Sequence, residues 1–210
     1  MYIGHARSLT VRHCYSHHAR TGHNLKSRAH ENHILYNRIM DEADGTSSYA
    51  IDLPNGGRSF IIGNIIQQGP NTDNSTIVSY GAEGLSNPDH RLYMINNTIV
   101  NDRDTGIFVY VREGATAKLV NNLFVGKGAP IKGQAEQITN LATDTPGFVD
   151  RAKFDYRLTS KSPAIDGGSE PGSVDTFNLR PLFQYVHPVS RRNRPSNGQI
   201  DIGAFEYQSN

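Results

Sequence analysis

The sequence predicts an all-β protein built as a stack of about five coils and finished by an irregular C-terminal segment. Three observations carry that expectation. Four short apolar segments place an Asn two residues ahead of an Ile or Phe: Asn37 with Ile39, Asn64 with Ile66, Asn97 with Ile99 and Asn122 with Phe124. An earlier segment offers His13 and Tyr15 at the same offsets, so the intervals run 24, 27, 33 and 25 residues. Between these segments lies a second series of short runs: NLKSR at 24–28, YAIDL at 49–53, TIVSY at 76–80 and GIFVYV at 106–111. Finally, 18 Asn and 20 Gly among 210 residues, with only 36% apolar side chains, describe a lean core that must accommodate many amides. Stacked coils place equivalent residues about 4.8 Å apart, so Asn side chains one coil apart can hydrogen-bond along the stack. A hairpin sandwich gives short strands too, but it has no reason to repeat one Asn at one offset.

The elements follow in chain order. The start, YIGHA, reads as a strand with no helix or polar segment ahead of it; the expectation is that N-terminal coils, and any secretion signal, belong to a longer chain. The segments SLTVRHCY (8–15), HILYNRI (33–39), SFIIGNII (59–66), LYMINNTIV (92–100) and AKLVNNLFV (117–125) are rich in Ile, Val and Tyr and bounded by Gly, Asn, Asp or Pro. Nothing in them has the 3.6-residue apolar period of a helix. Residues 1–128 are assigned to the coils, and 129–210 to the last coil and a capping segment.

Composition also excludes function classes. A net charge of +1 offers no field to steer the chain to nucleic acid or an anionic membrane. Cys14 alone makes no internal disulfide, and no Cys/His spacing of the zinc type is present. No window approaches a membrane span, and the N-terminus lacks the apolar run of a signal peptide. The neutral total hides an asymmetry, because residues 1–40 carry Arg7, Arg12, Arg20, Lys26, Arg28 and Arg38 against Glu31 alone. Seven of nine His also fall in the first 33 residues, but Glu31 is the only acid before Asp41, so no metal site is expected there.

The N-N-x-[IF] repeat resembles the right-handed parallel β-helix superfamily, the pectate-lyase-like repeat proteins, over residues 3 to about 128. The tail adds TPGFVDRAKFDYRLTSKSPAIDGGS (145–169), NLRP (178–181) and GQIDIGAFEYQ (198–208), similar to the C-terminal segment of bacterial surface or secreted β-helix proteins. The resemblance implies a right-handed parallel β-helix with an irregular C-terminal cap, in an extracellular, periplasmic or cell-surface setting, as a monomer or as part of a longer chain. In the cap, Asp166, Asp201 and Glu206 are expected to hold Arg180 or backbone amides and to close the bottom coil, with a calcium site from these carboxylates as the alternative reading.

The candidate site lies around GHNLKSRAHEN (22–32). With Leu25 and Ser27 inward, strand alternation turns Lys26 and Arg28 outward, with His30 just past the strand. Aligning Leu25 with Ile51 sets Asp52 one coil below Lys26 and brings Ser79 or Tyr80 one coil further, with Glu83 nearby. NLKSRAHEN is similar to the Lys-Ser stretch of β-helix alginate lyases. That resemblance implies β-elimination from a uronate: Lys26 as base, Arg28 or Arg58 neutralising the substrate carboxylate, and His30, His23 or Tyr80 as proton donor. AIDLPNGG (50–57), where that family places an Arg, has none. The expectation is binding, and eliminative cleavage, of an acidic polysaccharide on this outward face, with His23, Asp52, Arg58 and Glu83 contacting it. The alternatives are a non-catalytic carbohydrate-binding or structural module, and a glycoside hydrolase using Asp52, Asp73 or Glu83 in a pair roughly 5 to 9 Å apart.

Overall fold

The computed structural model describes residues 1–209. Three parallel six-stranded sheets take one strand each from every coil, so the chain is a parallel β-helix of six coils. The first sheet comprises Tyr2–Ile3, Leu25–Ser27, Ile51–Leu53, Thr76–Tyr80, Ile107–Val111 and Ala129–Lys132. The second comprises Ser8–Arg12, Glu31–Leu35, Arg58–Ile62, Arg91–Ile95, Thr116–Val120 and Glu136–Ile138. The third comprises Tyr15–His17, Arg38–Met40, Ile65–Gln68, Thr98–Asn101, Leu123–Val125 and Leu141–Thr143. The sixth coil, 129–143, lacks the N-N-x-[IF] signature, which is why the repeat alone points to about five.

The register explains how a lean sequence fills the interior. Column by column, like residues stack: Leu25, Ile51, Val78 and Val109 in the first sheet, Val11, Ile34, Ile61, Met94 and Leu119 in the second. Ile39, Ile66, Ile99 and Phe124 complete the triangle from the third, and all belong to one buried cluster. Each coil needs only a thin apolar layer because the coils above and below cover it.

The bend from the second sheet to the third is where the Asn repeat acts. Asn37 Nδ2 donates to Asn64 Oδ1 at 3.0 Å, Asn64 Nδ2 to Asn97 Oδ1 at 3.0 Å, Asn97 Nδ2 to Asn122 Oδ1 at 2.9 Å, and Asn122 Nδ2 to Asn140 Oδ1 at 2.9 Å. Each Oδ1 also accepts the backbone N–H of the residue one coil above. The residue just before each ladder position is left-handed: Tyr36, Gly63, Asn96, Asn121 and Thr139 have φ of 56, 65, 51, 55 and 48°. Asn tolerates that region better than most side chains, which accounts for the N-N dipeptide. The top of the column differs by one residue from the expected alignment. Cys14, not His13, is level with Asn37 and donates its N–H to Asn37 Oδ1 at 3.0 Å, while His13 (φ 58°) is level with Tyr36 and stacks on its ring.

The C-terminal segment is irregular as expected, but its position is a correction. It does not close the bottom coil; it lies along the flank. Tyr156, Tyr185, Ile202 and Phe205 pack on Met40, Ile65, Val100, Leu123 and Val125 of the third sheet. Leu179, Phe177 and Phe183 pack on Tyr36, Phe60, Ile62 and Ile95 of the second. Three short antiparallel pairs give the segment its local order: Phe148–Asp150 with Asp155–Leu158, Ser173–Val174 with Phe177–Asn178, and Phe183–Val186 with Ser190–Asn193. Of the two partners expected for the tail carboxylates, backbone amides are found and Arg180 is corrected. Glu206 holds Arg194, not Arg180, at 2.8 Å with both side chains at most 3% exposed, and Arg180 pairs with Glu170. Asp201 accepts the N–H groups of Asp166 (2.7 Å) and Tyr207 (2.6 Å), which occupies both of its oxygens.

Candidate functional site

Because the flanking segment covers the second and third sheets, the first sheet alone keeps its outward face clear of it. Its outward column reads Tyr2, Lys26, Asp52, Ser79, Tyr110 and Lys132 in register. Lys26 and Arg28 leave one strand on the same side, two residues apart, because Leu25 and Ser27 are fully buried. Turns at either end bring the remaining groups in. Gly57, at φ 103°, approaches the Ala29 carbonyl so closely that a Cβ would lie 2.7 Å from it. That turn places Asn55 beside Arg28, and the turn at 81–84 delivers Glu83.

The geometry is a chain of alternating charges. Lys26 Nζ lies 2.8 Å from Asp52 Oδ2 and 2.8 Å from Glu83 Oε1, and Arg28 Nη2 lies 2.6 Å from Glu83 Oε2. Arg28 also donates to Tyr2 Oη at 3.0 Å and Asn55 Oδ1 at 2.5 Å. His23 stacks on Tyr49, accepts the Tyr49 N–H at Nδ1 (3.2 Å), and so carries its proton on Nε2, 3.5 Å from Asp52 Oδ2. Asp52 is 2% exposed and its Oδ1 has no hydrogen-bond partner among the described residues. A shallow hollow of about 550 Å³ opens over His23, Lys26, Arg28 and Tyr2.

Electrostatics assigns states to these groups. Burial pulls the Lys26 ammonium down, but hydrogen bonds and charge from Asp52 and Glu83 outweigh it and leave its pKa raised. Glu83 is held below the usual carboxylate range by its bonds to Lys26 and Arg28. Burial lowers His23, against the pull of Asp52 in the other direction. At neutral pH Lys26 and Arg28 are therefore cations, Glu83 is ionised and the His23 imidazole is neutral.

The expected residues sort accordingly. The structure brings Lys26, Arg28, Asp52, Glu83 and His23 together. Tyr80 departs from the outward face: it is level with Leu53, fully buried, and donates its hydroxyl to the Gly57 carbonyl at 2.8 Å, and burial raises its pKa. Two residues along a strand from an inward position is again inward, and that parity decides it. Arg58 stands in the second sheet, held by Glu31 at 2.5 Å and by Asp175 of the flanking segment at 3.1 Å. His30 is exposed on the turn between the first two sheets, and its side chain has no hydrogen bond among the described residues. Tyr2 and Asn55 escape a motif-based reading, although extending the Lys26 register one coil upward locates Tyr2. Among the described residues no group of three His, Cys, Asp or Glu side chains is placed to hold a metal ion, and no helix is long and apolar enough to cross a membrane. Comparisons with protein-family models, curated proteins and solved structures give no match.

Proposed function

We propose that the outward face of the first sheet binds an acidic, uronate-containing polysaccharide, as the resemblance to pectate-lyase-like repeat proteins suggests, and that it holds the polymer without cleaving it. One observation supports this above others: the Glu83 carboxylate, on a turn and 47% exposed, bridges Lys26 and Arg28 in the way a uronate carboxylate would. Two cations, Lys26 on a strand and Arg28 just past its end, form a fork of carboxylate width, and Glu83 fills it in the free protein. A ligand carboxylate displaces Glu83 and inherits both charge-assisted hydrogen bonds.

The protonation states speak against elimination. A general base near neutral pH needs a lowered lysine pKa, whereas Lys26 is raised between two carboxylates. Hydrolysis fares no better. Asp52 and Glu83 oxygens both lie 2.8 Å from one ammonium, hence at most 5.6 Å apart, which suits a retaining pair. Yet Glu83 is held ionised by the two cations, which leaves Asp52 to supply the proton, and Asp52 is 2% exposed and in contact with Lys26 and His23.

The test is retention on immobilised uronate polymers together with ultraviolet absorbance of unsaturated products in solution. Retention without a rise in absorbance, weakened in Lys26→Ala and Arg28→Ala, is the expected result. A rise in absorbance that disappears in Lys26→Ala overturns the non-catalytic reading, and failure to be retained by any uronate polymer overturns binding itself.

A further inference from the structure

A second site lies on the other side of the molecule, where the flanking segment meets the third sheet. The hairpin Phe148–Leu158 and the hairpin Phe183–Asn193 stand apart over Arg38 and Ile65, and between them is a cavity of about 420 Å³. Its floor is apolar, with Ile65, Tyr156 and Phe205 all buried. Phe154 and His187 also line it. Four cations line it, Arg38, Lys153, Arg157 and Arg192, against the single carboxylate of Asp155.

The pairing of those cations leaves a remainder. Arg157 is held by Asp155, and Lys153 by Asp150 at 2.9 Å. Arg38, only 12% exposed, has one carboxylate oxygen of Glu42 at 3.5 Å, and that same oxygen accepts the Tyr15 hydroxyl. The Nε of Arg38 is buried without a partner, as is the hydroxyl of Tyr156 beneath it on the cavity floor. Arg192 donates Nε to Gln184 at 3.0 Å and has no carboxylate within ion-pair distance among the described residues. Three carboxylates thus serve four cations, and the surplus charge faces an apolar pocket. A guanidinium offers five donors, and a mostly buried one left short of acceptors is a cost that an arriving anion removes. Phe154, the left-handed cap that ends the turn Arg151–Lys153, donates its N–H to the Arg151 carbonyl at 3.0 Å, accepts Arg38 at its own carbonyl at 3.3 Å, and lines the cavity.

We propose that this cavity binds a monoanion that joins a carboxylate to a six-membered ring with an apolar face, the carboxylate between Arg192 and Arg38 and the ring against Phe154. Aromatic acids and single uronate sugars share that chemistry. The site is independent of the first-sheet face, which lies on a different sheet and is charge-balanced.

Titration of the whole chain with benzoate, galacturonate and acetate, followed by nuclear magnetic resonance shifts, tests it. Saturable shifts of His187 with benzoate or galacturonate are expected, with acetate at least about tenfold weaker; which ring binds tighter distinguishes the two sources. Arg192→Ala, an exposed position, weakens the binding that His187 reports about tenfold, and Phe154→Ala removes the preference for a ring over acetate. Absence of saturable binding by either ring acid, acetate binding as tightly as both, or binding indifferent to Arg192→Ala overturns the proposal.

Discussion

Two buried polar arrangements hold this molecule together, and they are built on different principles. At the bend between the second and third sheets each Asn is satisfied by its equivalents one coil above and one coil below. In the flanking segment, Arg194 is satisfied locally, by Glu206 and by the carbonyls of Asp201, Gly203 and Phe205. The first arrangement spreads its risk over a column of neutral amides. The second concentrates it in one charge pair, where burial lowers Arg194 and raises both Glu206 and Asp201. Each repeat contributes a little to the ladder, whereas the lock has no spare copy.

The largest loss of stability is expected at the lock. Arg194→Met leaves Glu206 buried without its cation, and a loss of about 3 to 5 kcal/mol is expected in urea unfolding. Replacing both partners together, Arg194→Met with Glu206→Leu, recovers most of that loss. If the single variant is no worse than a surface substitution, the lock is not what holds the segment.

In the ladder the interior position is next. Asn97→Ala removes two donors and one doubly used acceptor, orphaning the Asn64 N–H and the Ile61 carbonyl, for about 2 to 4 kcal/mol. The bottom position, Asn140, is half-buried and has no sixth neighbour below, so Asn140→Ala costs about 1 to 2 kcal/mol. Equal costs at the two positions, measured by the same denaturant series, would refute a column whose members support one another.

Acid acts with opposite sign on the paired surface carboxylates and on the lock. Glu83 and Glu31 sit below the ordinary carboxylate range, the former through Lys26 and Arg28, the latter because His33 and Arg58 outweigh its burial. Their stabilisation is complete above the unfolded value of about 4.3 and is lost as pH falls through their lowered folded values. Glu206, raised by burial, has the opposite sign: its contribution is greatest at low pH and declines as pH rises through its raised value. A stability profile from pH 3 to 7 should therefore fall on its acid side, with a shallower fall in Glu83→Gln.

The smallest effect is on ligand affinity. Glu83 competes for the fork between Lys26 and Arg28 as a half-exposed surface partner worth no more than about 1 kcal/mol. Glu83→Gln should accordingly tighten retention on uronate polymers by up to about fivefold. Weaker retention would show that Glu83 helps to hold the ligand instead of excluding it.

Much of this was readable in the residues themselves. The Asn repeat located four rungs of the ladder, and alternation around Leu25 and Ser27 placed Lys26 over Asp52. The same alternation, carried two residues from inward Val78, turns Tyr80 inward and leaves Ser79 as the outward residue. The flank had only a faint signal: LFV at 123–125 is apolar at successive positions, whereas IIQQ and TIVN mix in polar residues that only the structure shows to be buried. Neither Arg194 with Glu206 nor the cavity at Arg38 and Arg192 has any sequence period, so neither could be found by spacing.

By itself, the sequence determined the coil. A repeated residue in a parallel stack meets its own copy, so a pattern along the chain becomes a contact in space without further information. Only the tertiary structure decided which faces stay open and which cations are already matched. Those outcomes depend on where a non-repeating segment lies across the coils and on how each turn presents its charged groups, and no local rule relates Arg192 to Arg38.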